Sequence, residues 1–159
     1  LDKFIGDCIM AFWGAPLDDA DHAKHAVACA LEMQTVLKEF QRDLGAAGHL
    51  FDVGIGIHSG SAVVGFIGAE QKLDYTAIGD TVNLASRIEG LTKDKARILV
   101  SAETAAACGG VYDFAPHGAH AAKGRAQPVE LWEPREHGSG ASRDAEPKTN
   151  HADHQGVLR

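Results

Sequence analysis

Apolar residues between Asp21 and Gly45 recur every three or four positions, which is the repeat of one helix face. The spacing predicts a long helix, because a stripe of this kind faces a core. Asp19 or Asp21 could cap its start, and Gly45 with Gly48 is expected to end it. The predicted core-facing stripe consists of Val27, Ala30, Leu31, Leu37, Phe40 and Leu44, widened by Ala26, Cys29, Met33 and Val36.

Short apolar runs separated by glycines predict strands on both sides of this helix. Residues 1–14 are expected to form a hairpin that turns at Gly6-Asp7 and returns through Ile9–Trp13. The remaining predicted strands are a second hairpin over residues 50–58 and 61–67, a strand over 72–78, a strand over Arg97–Val100, and a last pair over 111–121 and 128–133.

Two more helices are predicted in the second half of the chain, between these strands. One covers roughly residues 80–92, and a shorter one starts at Ser101. Strands that alternate with helices, several of them joined as hairpins, predict an α/β sandwich with a mixed sheet and helices packed on one face.

Composition restricts the classes of function. The chain has 159 residues, 45% hydrophobic and 23% charged, which suits one globular domain. Its net charge of −7 argues against nucleic acid as a partner. Three widely spaced cysteines without a CxxC pair indicate buried thiols in a reducing cytosol rather than disulfides. We expect the domain to span 1–134 and the residues 135–159, which lack aromatic side chains, to be a disordered tail.

The strongest chemical signal is the stretch 72–87, where a strand breaks at Gly79-Asp80 and a helix begins. Asn83 and Arg87 are four residues apart, so both side chains leave the same helix face. An amide and a guanidinium pointing together suit a ribose and a phosphate better than they suit a core. The alternative is a surface arginine paired with Glu89 or Asp80.

The stretch 72–87 resembles the nucleotide-binding strand and helix of class III nucleotidyl cyclases, which make cyclic AMP or cyclic GMP. The opening Lys-Phe-Ile-Gly-Asp, residues 3–7, resembles the same family independently. The resemblance is to the catalytic domain of the bacterial adenylate cyclase type. It implies the ferredoxin-like cyclase fold, truncated at its N-terminus and therefore lacking the first strand and helix.

The resemblance also implies roles for particular residues. Asn83 would orient the ribose, and Arg87 would meet charge developing at the α-phosphate. Asp7 would be one of two aspartates that hold two Mg²⁺ or Mn²⁺ ions, although turn geometry alone could explain an Asp there. The substrate-binding residues implied are Lys3 and Thr76 at the purine, Lys123 at the terminal phosphates, and the backbone of Ile5 and Gly6 at the triphosphate.

Lys3 favours adenine over guanine within this resemblance. Its ammonium only donates, which matches the N1 acceptor of adenine and opposes the N1–H of guanine. Thr76 discriminates less, because a hydroxyl can either accept from adenine or donate to guanine. Without the family, a solvated lysine and an ordinary strand threonine would explain both positions.

The implied assembly is a head-to-tail homodimer with ATP bound between subunits, since metal ligands and base-reading residues come from different protomers in the family. The other metal-binding aspartate of the family has no counterpart here, so the fragment alone is expected to be inactive. An upstream sensor or membrane domain could precede it. The alternatives are an inactive nucleotide-binding or dimerisation module, and a guanylate cyclase.

Overall fold

The chain begins with the predicted hairpin. A computed structural model describes residues 1–69, 71–93, 95–121 and 127–135. In it, β1 (Lys3–Ile5) pairs antiparallel with β2 (Cys8–Met10). Gly6 takes a φ of 63° in the turn, a backbone conformation that glycine adopts without steric cost. The return strand ends at Met10, short of the predicted Trp13.

The long predicted helix is present as α1 (His22–Asp43), followed by a 3₁₀ helix at Gly45–Leu50. Asp21 is the residue before the helix, but its side chain does not cap it. Its carboxylate instead accepts from Lys24 Nζ at 2.6 Å. Asp19 accepts from the backbone N–H of Asp21 and lies 2.8 Å from His25, and this hydrogen bond holds the pKa of Asp19 below its usual range. The predicted capping by either carboxylate is therefore wrong.

The apolar stripe of α1 is buried only over its first half. Ala26, Val27 and Ala30 lie in the core, whereas Val36 and Phe40 are exposed. The change falls near Gln34, whose side-chain amide donates to the carbonyl of Val53 at 2.9 Å. The periodicity therefore predicted the core-facing stripe correctly for the first half of the helix, and the prediction is wrong for the exposed Met33, Val36, Phe40 and Leu44.

The predicted hairpin over 50–58 and 61–67 is wrong. The first segment contains β3 (Ile55–Ile57), while β4 (Val63–Ala69) pairs antiparallel with β5 (Lys72–Ile78) along seven residue pairs. Proximity in sequence suggested that β3 pairs with β4. Instead β3 pairs with β6 in the central sheet, and β4 pairs with β5.

The central sheet has the strand order β3-β6-β8-β7 among the described residues. Strands β3 and β6 are parallel, and the other two pairings are antiparallel, so the predicted mixed sheet is confirmed. Ser101 starts the short helix as predicted, since its hydroxyl accepts from the N–H of Thr104. The elements that follow β5 are α2 (Asp80–Gly90), β6 (Ile98–Ser101), α3 (Ala102–Ala107), β7 (Asp113–His120) and β8 (Val129–Arg135).

Two apolar clusters lie on the two sides of β6. Leu99 packs with Leu84 and Ile88 of α2, whereas Ile98 and Val100 pack with the cluster around α1. Neighbouring residues of a strand point to opposite faces of the sheet. The helices, expected on one face, are thus divided between two, with α1 on one and α2 on the other.

Cys8, Cys29 and Cys108 are all free thiols, but the predicted burial is correct only for Cys108, since Cys29 is half-buried and Cys8 in the first hairpin is exposed. Cys108 is fully buried, and burial raises the pKa of its thiol, with Lys24 opposing the shift. Strand β8 includes Arg135, one residue beyond the predicted domain boundary, and the rest of the predicted tail lies outside the described residues. Within the described ranges, no helix has the length and apolar character needed to cross a bilayer.

The burial of Cys108 leads to a labelling prediction. A thiol reagent at neutral pH should modify the exposed Cys8 in the folded protein and leave Cys108 unmodified, because the thiolate is the reactive form and Cys108 is both protonated and enclosed. Peptide mass spectrometry after brief labelling measures this, with a urea-unfolded sample as the control in which both residues react. Equal labelling of the two in the native protein would contradict the described packing.

Candidate active site

Two residues predicted to read a purine, Lys3 and Thr76, lie around one buried carboxylate. The Thr76 hydroxyl donates to Asp2 Oδ2 at 2.6 Å, and Lys3 Nζ is 3.8 Å from Asp2 Oδ1. The Asp2 side chain is 2% exposed and that of Lys3 is 35% exposed. The first hairpin and the β4–β5 hairpin are therefore joined at this point, and Lys3 and Thr76 lie near each other although they are far apart in sequence.

The end of β5 positions the second group. Gly79, with a φ of 136°, turns the chain from β5 into α2. Leu84 and Ile88 anchor α2 in the core with no exposure, so the helix face that carries Asn83 and Arg87 is directed away from it. Asn83 is exposed and Arg87 is partly exposed. Neither side chain points into a dry interior.

The alternative explanation of Arg87 was an ion pair with Glu89 or Asp80. Within the part of the chain that the structure describes, no carboxylate forms an ion pair with the Arg87 guanidinium. A planar guanidinium in this position is available to contact phosphate oxygens in a fork geometry.

Asp7 lies in the turn between β1 and β2, where its carboxylate is exposed. The neighbouring Gly6 has nothing within 4 Å of the position where a Cβ would be, and Ile5 is also exposed, so the turn backbone is open to a ligand. Carboxylate and backbone oxygens suit Mg²⁺ and Mn²⁺, and Asp7 therefore fits one ligand position of such an ion. The described residues contain no group of three or more His, Cys, Asp or Glu side chains arranged to hold a metal.

The structure does not place every predicted residue. Lys123, expected at the terminal phosphates, lies outside the described residues. Asp2, in contrast, is a residue of this site that the sequence does not reveal. Its only signal in the sequence is a charge just before an apolar strand, which is ordinary, and its burial becomes visible only when β5 packs beside it.

Comparison with known proteins identifies the family of the chain. The family profile described as the adenylate and guanylate cyclase catalytic domain matches residues 3–132. Adenylate cyclase 1 of Rhizobium meliloti is 44% identical over 133 residues, which cover 82% of this chain and 20% of that protein. The adenylate cyclase of Anabaena cylindrica is 47% identical over 100 residues, covering 58% of this chain and 18% of that protein. The chain thus spans only a minor part of the length of these relatives.

Solved structures resemble the fold closely. The adenylyl cyclase CyaB from P. aeruginosa superposes with a TM-score of 0.76 and 34% identity, covering 91% of this chain and 74% of that chain. The guanylyl cyclase Cya2 superposes with a TM-score of 0.73 and 34% identity, covering 87% of this chain and 71% of that chain. The profile match extends from the first hairpin to β8, and the chain therefore belongs to the family of adenylate and guanylate cyclase catalytic domains.

Proposed function

We propose that this chain is the catalytic domain of an adenylate cyclase, which converts ATP to 3′,5′-cyclic AMP and pyrophosphate. The observation that carries the proposal is the position of Lys3 beside Thr76 at one buried carboxylate. The Lys3 ammonium offers only donors, which match the N1 acceptor of adenine and oppose the N1–H of guanine. The similarity to bacterial adenylate cyclases supports the same substrate.

The reaction requires the ribose 3′-oxygen to attack the α-phosphorus while the bond to pyrophosphate breaks. In this proposal Asn83 holds the ribose so that the 3′-hydroxyl faces the α-phosphate, because orientation removes much of the entropic barrier. Arg87 donates to the α-phosphate oxygens as negative charge develops there. The backbone N–H groups at Ile5 and Gly6 bind the triphosphate, and Lys123 contacts its terminal phosphates.

Asp7 would hold the divalent ions, two Mg²⁺ or Mn²⁺, together with a second carboxylate of the full protein. Bound there, the ions would lower the pKa of the 3′-hydroxyl and neutralise phosphate charge. The contribution of this chain is an exposed carboxylate at a hairpin turn next to open backbone, which is the donor chemistry that these ions prefer.

The proposed assembly is a head-to-tail homodimer in which Asp7 of one protomer faces Lys3, Thr76, Asn83 and Arg87 of its partner. The two hairpins support this assembly, because each exposes several large apolar side chains that contact with a partner protomer would remove from water. These side chains are Phe4, Ile5 and Ile9 on the first hairpin and Val63, Phe66, Leu73 and Ile78 on the second.

The proposal extends to the cellular location of the domain and to its place in the full-length protein. ATP as substrate and the free thiols are in keeping with a cytoplasmic catalytic domain. The relatives extend well beyond the matched region, which leaves room for a sensor or membrane domain that controls how the two protomers meet.

Product analysis tests the proposed function. The full-length protein that carries this chain, supplied with Mn²⁺ and either ATP or GTP, should form cyclic AMP and prefer ATP by about 5–150-fold in kcat/KM. Cyclic GMP as the main product would instead favour a guanylate cyclase, which the similarity to Cya2 keeps as the second candidate. Nucleotide binding without either product would favour the inactive module.

A further inference from the structure

We propose that Asp2 is a positioning residue that sets the base preference of the site by fixing the direction of the Thr76 hydrogen bond; this rests on the proposed function. A threonine hydroxyl has one proton and two lone pairs, so what it offers a base depends on where the proton goes. Here the proton goes to Asp2 Oδ2, at 2.6 Å.

Burial makes this direction a fixed property of the site. The Asp2 side chain is 2% exposed and Thr76 is 6% exposed, so water competes little for either group. An ionised carboxylate accepts hydrogen bonds and never donates them. A buried carboxylate also requires partners, which Thr76 and the Lys3 ammonium provide. The Thr76 proton cannot leave Asp2 without leaving a buried charge less satisfied.

The consequence for a purine follows from its 6-position. With its proton committed to Asp2, Thr76 presents only lone pairs, which accept from the 6-amino group of adenine. The 6-oxo group of guanine is itself an acceptor, so it would face another acceptor and remain unpaired. Thr76, ambiguous when considered alone, becomes an adenine-selecting residue through Asp2.

Asp2 acts on the second base-reading residue as well. Its Oδ1 lies 3.8 Å from Lys3 Nζ, which draws the ammonium towards Thr76. The backbone N–H of Asp2 donates to the carbonyl of Met10 at 2.9 Å, so the residue is held in the hairpin that carries Lys3. The Asp2 carboxylate thus orients both base-reading residues. Thr76 is left as an acceptor for the 6-amino group of adenine, and Lys3 as a donor to its N1.

Asp2→Asn in the full-length protein tests this inference. The asparagine amide can donate to Thr76, which frees the hydroxyl proton to donate to guanine, and it no longer attracts Lys3 by charge. We expect the ratio of Kd values for non-cleavable GTP and ATP analogues, measured by calorimetry, to fall by about 5–150-fold. The kcat/KM ratio for ATP over GTP should fall in parallel. A merely structural role would weaken both nucleotides equally and leave the ratios unchanged.

Three further variants sharpen the test. Asp18→Asn makes the same charge change in the exposed segment before α1 and should keep the wild-type ratios. Asp2→Glu keeps an acceptor-only side chain and should keep most of the adenine preference. Thr76→Val, which is nearly isosteric, removes the hydroxyl and should lower the preference even if Asp2→Asn fails to fold.

The outcomes separate the two proposals. Wild-type ratios in both Asp2→Asn and Thr76→Val would overturn the role of Asp2, whatever the enzymatic activity. A wild-type protein that prefers the ATP analogue but forms no cyclic nucleotide would refute the cyclase proposal, and a lower preference in Asp2→Asn would then still support the role of Asp2. A wild-type protein that binds both analogues equally, or neither, would overturn the inference about Asp2.

Discussion

Replacing Arg87 by Ala should reduce cyclic AMP formation by roughly 10²–10³-fold or more while nucleotide affinity changes little. The reason is that the guanidinium is held on the outward face of α2, without an ion pair in the described part of the chain, and would act on charge that appears mainly in the transition state. Turnover of ATP by the full-length protein, combined with calorimetric binding of a non-cleavable ATP analogue, measures the two effects separately.

Arg42→Ala is the matched control for this substitution. Arg42 is also a helical arginine, exposed in the last turn of α1 and away from the proposed site, so its loss should leave turnover near the wild-type rate. Turnover by Arg87→Ala at the wild-type rate would remove Arg87 from the mechanism. A loss of affinity as large as the loss of rate would show that Arg87 serves ground-state binding instead.

The Arg87 variant also tests the proposed dimer. Arg87→Ala and Asp7→Ala should each be inactive alone, because each damages both equivalent sites of a homodimer. Mixed in equal amounts and allowed to exchange subunits, they should regain about a quarter of wild-type activity, since half of the dimers contain one intact site of two. Absence of recovery despite demonstrated exchange would argue that both residues act from the same protomer.

Gly56→Ala should both destabilise the protein and inactivate it. A Cβ at Gly56 would come 2.5 Å from the carbonyl oxygen of Ala85 and even closer to the backbone nitrogen of Glu89, and backbone atoms cannot swing aside as a side chain can. Strand β3 and helix α2 would have to separate, at a cost of about 1–3 kcal/mol or more. The melting temperature should fall by about 2–4 °C for each kcal/mol lost.

The loss of activity in this variant has a geometric cause. Helix α2 carries Asn83 and Arg87, so its displacement from the sheet moves both side chains relative to Lys3 and Thr76. Gly90→Ala is the control, because the added Cβ at the last residue of α2 meets nothing within 4 Å. It should keep the wild-type stability or gain about 0.5–1 kcal/mol from the lower backbone entropy of alanine. A Gly56→Ala protein as stable and active as the wild type would contradict the close contact.

Local sequence was sufficient to predict the secondary structure wherever the geometry of a short segment depends only on its own residues. The glycine at the end of β5 and the residues of α2 that follow it predicted a strand, a turn and a helix, and spacing alone placed Asn83 and Arg87 on one outward face. The first hairpin was predicted for the same reason, because Gly6-Asp7 supplies the backbone freedom that a tight turn needs. The reactive groups of the site that lie in these segments were therefore identifiable from the chain.

Relations between distant segments required the folded structure. Apolar alternation marks β3 as a strand but carries no information about its partner, which is β6 rather than β4. Helical periodicity marks one face of α1 but not where the covering sheet ends. The burial of Asp2 depends on β5, and a charge at the start of a strand looks the same in sequence whether it faces water or a threonine. The types and spacing of residues determined the local elements and the candidate chemistry, whereas strand partners, burial and hydrogen-bond direction were decided by packing, because these properties belong to pairs of segments.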